Sequence, residues 1–187
     1  MFDSTTETVL KNLEKTQDDF WNIARETGNF LNLIIKTANI KNAYEVGTSN
    51  GYSGIWLAKG LVETGGHLTT IEFYEKRLIP AKENFKMCGL SDIITVKQGS
   101  AIEILEEIPE KEVIDFAFID ANKGQYLDYF KILDNHIKRG GIITADNVTS
   151  HSQKVKPFLD AIFGNPKYQS EILDLPAGLL IARKNED

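Results

Sequence analysis

Asp120, Lys123, Asp146 and Asn147 are the residues whose types fit one small reactive site. Two carboxylates and an amide offer oxygen only. That set suits a hard cation such as Mg²⁺, Mn²⁺ or Ca²⁺ and suits zinc or copper poorly, since those would call for histidine or cysteine. A lysine beside a cation and partly desolvated has its charged form disfavoured, which equips Lys123 to act as a general base. Each residue alone has a plainer explanation: Asp120 as an acid ending a strand, Asp146-Asn147 as a turn pair or helix cap, Lys123 as a solvated lysine. Their chemical meaning depends on whether the fold gathers them.

A second group of residues suits a nucleotide-like ligand. In Tyr44-Glu45-Val46-Gly47-Thr48-Ser49-Asn50-Gly51-Tyr52-Ser53-Gly54 a strand end runs through glycines into a helix. Glycine allows unusual backbone angles and close approach, and the helix start presents free N–H groups. The spacing G-x-x-x-G-x-x-G differs from the G-x-G-x-x-G that seats a dinucleotide pyrophosphate. About 25 residues after Gly47, the strand His67-Leu68-Thr69-Thr70-Ile71-Glu72 ends in an acid, near the ~20-residue spacing of a ribose-binding carboxylate.

These residues need elements to hold them. Ser4-x-x-Glu7 has the form of a capping box and opens a helical segment, 1–28, that caps the domain; Gly28-Asn29 breaks it, and Phe30–Ile35 makes a short buried helix. Strand Asn42–Gly47, helix Tyr52–Glu63, strand Leu68–Glu72, helix Glu75–Met87, strand Ile94–Gln98 and helix Ala101–Glu107 follow. Then come strand Ile114–Asp120, helix Gln125–Lys138, strand Gly141–Ala145 and helix Gln153–Phe163, with Gly140-Gly141 read as a helix stop. Strand–helix alternation means right-handed crossovers and a parallel sheet. Only Pro176-Ala177-Gly178 separates strands Tyr168–Leu175 and Leu179–Arg183, too short for a parallel crossover, so these form an antiparallel hairpin. The expected fold is α/β: a Rossmann-like, seven-stranded, mostly parallel sheet with helices on both faces. Ligands of such sheets lie at the carboxyl ends of the strands. Gly47 to Ser53, Glu72-Phe73, Gly99-Ser100-Ala101, Asp120 to Lys123 and Asp146-Asn147 all fall there.

Composition bounds the partners. At 187 residues the chain is expected to form one domain, 1–187, able to fold alone. A net charge of −6 argues against nucleic acid. A chain with no run of 18 apolar residues and a polar, acidic start is expected to be soluble, cytoplasmic and free of membrane partners. The single cysteine, Cys88, reads as a buried structural thiol, and His151 as a solvated residue at a helix start. Trp21, Trp56 and Tyr126 read as core or rim packing.

The runs EVGTSNGYSG, TTIE, FAFIDANKGQY and ADN resemble the cation-dependent O-methyltransferases, which include catechol and caffeoyl-CoA O-methyltransferases. The resemblance runs from about Gly28 onward. It implies S-adenosylmethionine as cofactor, with Glu45, Gly47, Ser49 and Ser53 at its methionine portion, Glu72 at the ribose, and Phe73 and Ala101 at the adenine. It implies Asp120, Asp146 and Asn147 as ligands of a divalent cation, most often Mg²⁺, and Lys123 as the catalytic lysine. Asp120 falls in the cofactor-binding and catalytic sets as well. A small catechol-like molecule would be the methyl acceptor, and a homodimer is left open.

The sequence departs from the family pattern where an acceptor would bind. Phe20-Trp21-Asn22-Ile23-Ala24 replaces a methionine-containing segment, Val148-Thr149-Ser150-His151 follows Asn147 in place of tryptophan and glycine, and Leu175-Pro176-Ala177-Gly178 lacks an acid. Two other readings stay open: a metal-independent methyltransferase of this fold, and a nicotinamide-dependent oxidoreductase or nucleotide-binding module.

Overall fold

The computed structural model describes residues 2–186, so Met1 and Asp187, the two ends of the expected domain, lie outside the described residues. One seven-stranded sheet has the order β3-β2-β1-β4-β5-β7-β6. The strands are β1 (Asn42–Val46), β2 (His67–Glu72), β3 (Ile94–Gln98), β4 (Ile114–Ile119), β5 (Ile137–Ala145), β6 (Tyr168–Leu173) and β7 (Leu179–Lys184). The first five pair in parallel, while β7 lies antiparallel to both β5 and β6. The expected fold is therefore the observed one, with β7 as the reversed strand.

Helices cover both faces because every central strand sends alternate apolar residues each way. On one face Ala43, Leu68, Phe116 and Phe118 pack with α1 (Ser4–Glu14), α3 (Arg25–Thr37), α4 (Tyr52–Thr64) and α5 (Glu75–Met87) through Leu10, Leu31, Trp56 and Phe85. On the other, Val46, Ala117, Ile119 and Ile143 meet α6 (Ala101–Glu106), α7 (Tyr126–Asp134) and α8 (Ser152–Phe163) through Leu105, Phe130 and Phe158. Cys88 is buried at the end of α5, and His151 is exposed directly before α8.

Three expectations about boundaries need correction. The cap of α1 is Asp3, whose carboxylate accepts the Thr6 N–H at 2.9 Å; Ser4 is the first helical residue. Gly28-Asn29 does not interrupt a helix but lies inside α3, so position 28 is no boundary: Gly28 lets α3 approach the Trp56 indole, which a Cβ would meet at 2.5 Å. Gly140-Gly141 does not end a helix either. The helix α7 stops at Asp134, and the two glycines sit within β5, where the β4–β5 register shifts between Ile114 and Phe116. Gly140 has a φ of 83°, as an irregularity in a strand demands.

Candidate active site

Strand order reverses between β1 and β4, and there the loop after β1 meets the residue after β4. The Asp120 N–H donates to the Val46 carbonyl at 2.9 Å, and the Asp120 carbonyl oxygen lies where a Cβ on Gly47 would have to be. With a φ of 109°, position 47 excludes a side chain on two counts. Next to it, Ser49 also takes a positive φ, 47°.

Glu72 closes this loop from the neighbouring strand. One carboxylate oxygen accepts the Ser49 N–H at 2.9 Å and the other accepts the Tyr74 N–H at 3.0 Å. Each oxygen keeps a second lone pair, so further donors can be accepted. Phe73, 63 % exposed, stands beside it, and Ala101 is half-buried at the start of α6. Glu45 lies beneath the loop, 0 % exposed, accepting the Ser53 and Thr70 hydroxyls at 2.6 Å each. Burial pushes its carboxyl up to about 7; the two hydroxyls pull the other way, and Asp120 and Glu72 add to the rise. The structure thus leaves Gly47 and Ser49 half-buried on the loop, holds Glu72 buried against it, and puts Glu45 with Ser53 in its support.

The N-terminal segment leans on the same loop. The Ser49 hydroxyl donates to the Phe20 carbonyl at 2.9 Å, at the end of α2 (Gln17–Phe20). Trp21 follows in a left-handed conformation and is 75 % exposed, so it packs at a rim and not in the core. The Arg77 guanidinium lies 4.7 Å from its ring centroid and reaches the Ser49 hydroxyl at 3.4 Å. Arg77 lies in no sequence motif, because its partners Trp21 and Ser49 are distant in the chain.

Asp120, Lys123 and Asp146 come together beyond β4 and β5, and Asn147 follows Asp146 directly in the chain. The Lys123 ammonium sits 2.7 Å from Asp120 Oδ1, both side chains largely shielded from solvent. Asp146, 3 % exposed, carries an Oδ1 atom that is buried with no hydrogen-bond partner among the described residues. Burial, and then Asp120, push its carboxyl well above the usual range, opposed by the Asn147 N–H and Lys123. An orphaned buried carboxylate oxygen is costly unless a cation or proton completes it. Asn147 is half-buried with a φ of 62°, which breaks the alternation that would send consecutive side chains to opposite sides. Among the described residues no three His, Cys, Asp or Glu side chains converge as a metal site, so a cation here would rely on two carboxylates and the Asn147 amide oxygen. This all-oxygen set fits a hard divalent cation with positions left for water or acceptor oxygens. Tyr126 is buried, as expected of a packing residue, but its hydroxyl also donates to the Asp146 carbonyl at 3.1 Å. Its place three residues after Lys123 was the available signal.

A sequence profile of the family described as O-methyltransferase matches residues 3–167. A catechol O-methyltransferase of Niastella koreensis is 36 % identical over 128 residues, 67 % of this chain and 58 % of the relative. Caffeoyl-CoA O-methyltransferase 1 of Arabidopsis thaliana is 36 % identical over 154 residues, 77 % of this chain and 58 % of the relative. The chain thus spans little more than half the length of these curated relatives. Among solved structures, the O-methyltransferase of Bacillus cereus in complex with SAH superposes with a TM-score of 0.86 at 29 % identity, covering 99 % of this chain and 92 % of that one. The O-methyltransferase TomG of Streptomyces achromogenes, solved with SAM, shares the fold with a TM-score of 0.85 at 23 % identity, covering 100 % and 92 %. With the profile match spanning most of its length, the chain belongs to the O-methyltransferase family.

Proposed function

We propose that the chain moves a methyl group from S-adenosylmethionine to a hydroxyl of a small catechol-like acceptor, with a divalent cation, most often Mg²⁺, held by Asp120, Asp146 and Asn147. One observation carries the reading: Asp146 Oδ1, buried and without a hydrogen-bond partner among the described residues, belongs to the residue after β5, next to the β4 end that carries the Asp120–Lys123 pair. When bound, S-adenosylmethionine supplies an electrophilic methyl group and the cation, as a Lewis acid, lowers the pKa of an acceptor hydroxyl. Gly47, with its positive φ and the Asp120 carbonyl packed against it, gives the loop the turn on which the cofactor's methionine portion would lie, Ser49 and Glu72 orient it, and Phe73 with Ala101 offers apolar surface to its adenine. Glu45 and Ser53 hold the loop beneath its methionine end. Lys123 would act as base only after its ammonium, paired with Asp120 at 2.7 Å, has released a proton to solvent; the neutral Nζ would then accept the acceptor's proton. Holding oxygen and methyl in line contributes up to ~7–11 kcal/mol in favourable cases.

A second reading rests on the Lys123 ammonium at 2.7 Å from Asp120: an internal cation already neutralises one acid, as a metal-independent methyltransferase would need. Calorimetric titration with S-adenosylhomocysteine, with and without Mg²⁺, and with NAD tests the proposal. Binding of S-adenosylhomocysteine alone supports the methyltransferase, and a separate Mg²⁺ isotherm lost in Asp146→Ala supports the cation. Binding of NAD in preference would sink it. Among the described residues no helix is long and apolar enough to cross a membrane.

A further inference from the structure

We propose that Tyr126 is a positioning residue whose hydroxyl holds the Asp146–Asn147 peptide in the conformation that makes the cation site; this rests on the reading that Asp120, Asp146 and Asn147 hold a divalent cation.

Tyr126 is 0 % exposed at the first position of α7, and its ring is fixed edge-on against Phe158, with centroids 5.8 Å apart and planes at 82°. Phenylalanine would fill that space equally well. A hydroxyl buried there is unfavourable unless it is bonded, and its partner is the Asp146 carbonyl at 3.1 Å. That carbonyl lies just past Ala145, the last β5 residue paired with β7, so the ladder does not orient it. The Asp146 N–H is anchored to the Ile119 carbonyl at 3.0 Å, and fixing the carbonyl as well sets the plane of the peptide leading into Asn147. Asn147 then adopts its φ of 62°, a conformation that costs a non-glycine residue roughly 1–2 kcal/mol and needs support. The same ring carries the Lys123 ammonium 5.3 Å from its centroid. One side chain therefore braces both halves of the cluster: the Asp146–Asn147 corner through its oxygen and the lysine through its face.

The test is Tyr126→Phe, which keeps the ring and removes the oxygen. Three quantities are read on the full chain: Mn²⁺ affinity by electron paramagnetic resonance titration, S-adenosylhomocysteine affinity by calorimetry, and the thermal midpoint. The proposal expects the Mn²⁺ dissociation constant to rise roughly 10–100-fold, the size usual for partners that orient metal ligands, with the other two nearly unchanged. Wild-type-like Mn²⁺ affinity in Tyr126→Phe would overturn it, and so would parallel losses of all three, which would mark a packing role only. Failure of the underlying reading looks different: wild-type protein would bind no Mn²⁺, or Asp146→Ala would bind it as wild type does.

Discussion

The Glu72 carboxylate accepts the Ser49 N–H at 2.9 Å, so the acid ending β2 is part of the loop that follows β1. A residue expected to meet a ribose thus also shapes the loop under the rest of the cofactor. Glu72→Ala should weaken S-adenosylhomocysteine binding by more than one ligand bond, each charged hydrogen bond being worth ~1.5–3 kcal/mol. Glu72→Gln keeps one acceptor oxygen for the loop and should lose less. Calorimetry on both variants checks this; an unchanged dissociation constant in Glu72→Ala would remove Glu72 from the cofactor site.

Lys123 separates a base from a charge. Lys123→Met keeps the apolar stem and removes the proton acceptor, whereas Lys123→Arg keeps a charge that stays protonated at any usable pH. As a base, its loss in either variant should lower turnover 10²–10⁴-fold. Rescue by arginine would reduce its role to pairing with Asp120.

Glu45 should leave a mark on stability against pH. Its carboxyl is held at about 7 in the folded protein, against 4.5 ordinarily, chiefly by burial. The folded state therefore keeps a proton that the unfolded chain releases. The contribution is fully present below about pH 4.5 and is lost as pH rises to about 7, an effect of roughly 3 kcal/mol at most. Glu45→Gln stays neutral and should lack this decline. Urea unfolding of both proteins at pH 4.5 and 7.5 measures it, and parallel losses would show that Glu45 ionises normally.

Much of this was legible because strand ends write themselves into sequence. The apolar run of β4, interrupted only by Asp115 within Ile114–Ile119, and the acids Glu72, Asp120 and Asp146 at strand ends point to the sheet and its reactive edge. Local signals failed where a distant contact decides. Gly28 resembles a helix break until Trp56 is seen against it, and Gly140-Gly141 resembles a helix stop until the β4–β5 register shift explains it. Glu45 is similar: its type was read, but the Ser53 and Thr70 hydroxyls that hold it beneath the loop follow from β1–β2 pairing and the turn into α4.

Trp21 should report on the cofactor loop. It is exposed, stacked on Arg77, and one residue from the Phe20 carbonyl that holds Ser49. S-adenosylhomocysteine should cause a saturable change in tryptophan fluorescence that is lost in Trp21→Phe, since Trp56, the other tryptophan, is buried in the core against α3. Full retention of the change in that variant would contradict the coupling.

The central claim is metal-assisted methyl transfer, and the most direct measurement follows label from S-adenosylmethionine into a catechol-type acceptor before chelation, after it, and after Mg²⁺ is restored. Several kcal/mol of assistance from the cation predict a fall of roughly 10²-fold or more on chelation and full recovery with Mg²⁺. Turnover indifferent to the chelator would contradict the account and favour the metal-independent reading, in which Lys123 alone offsets Asp120.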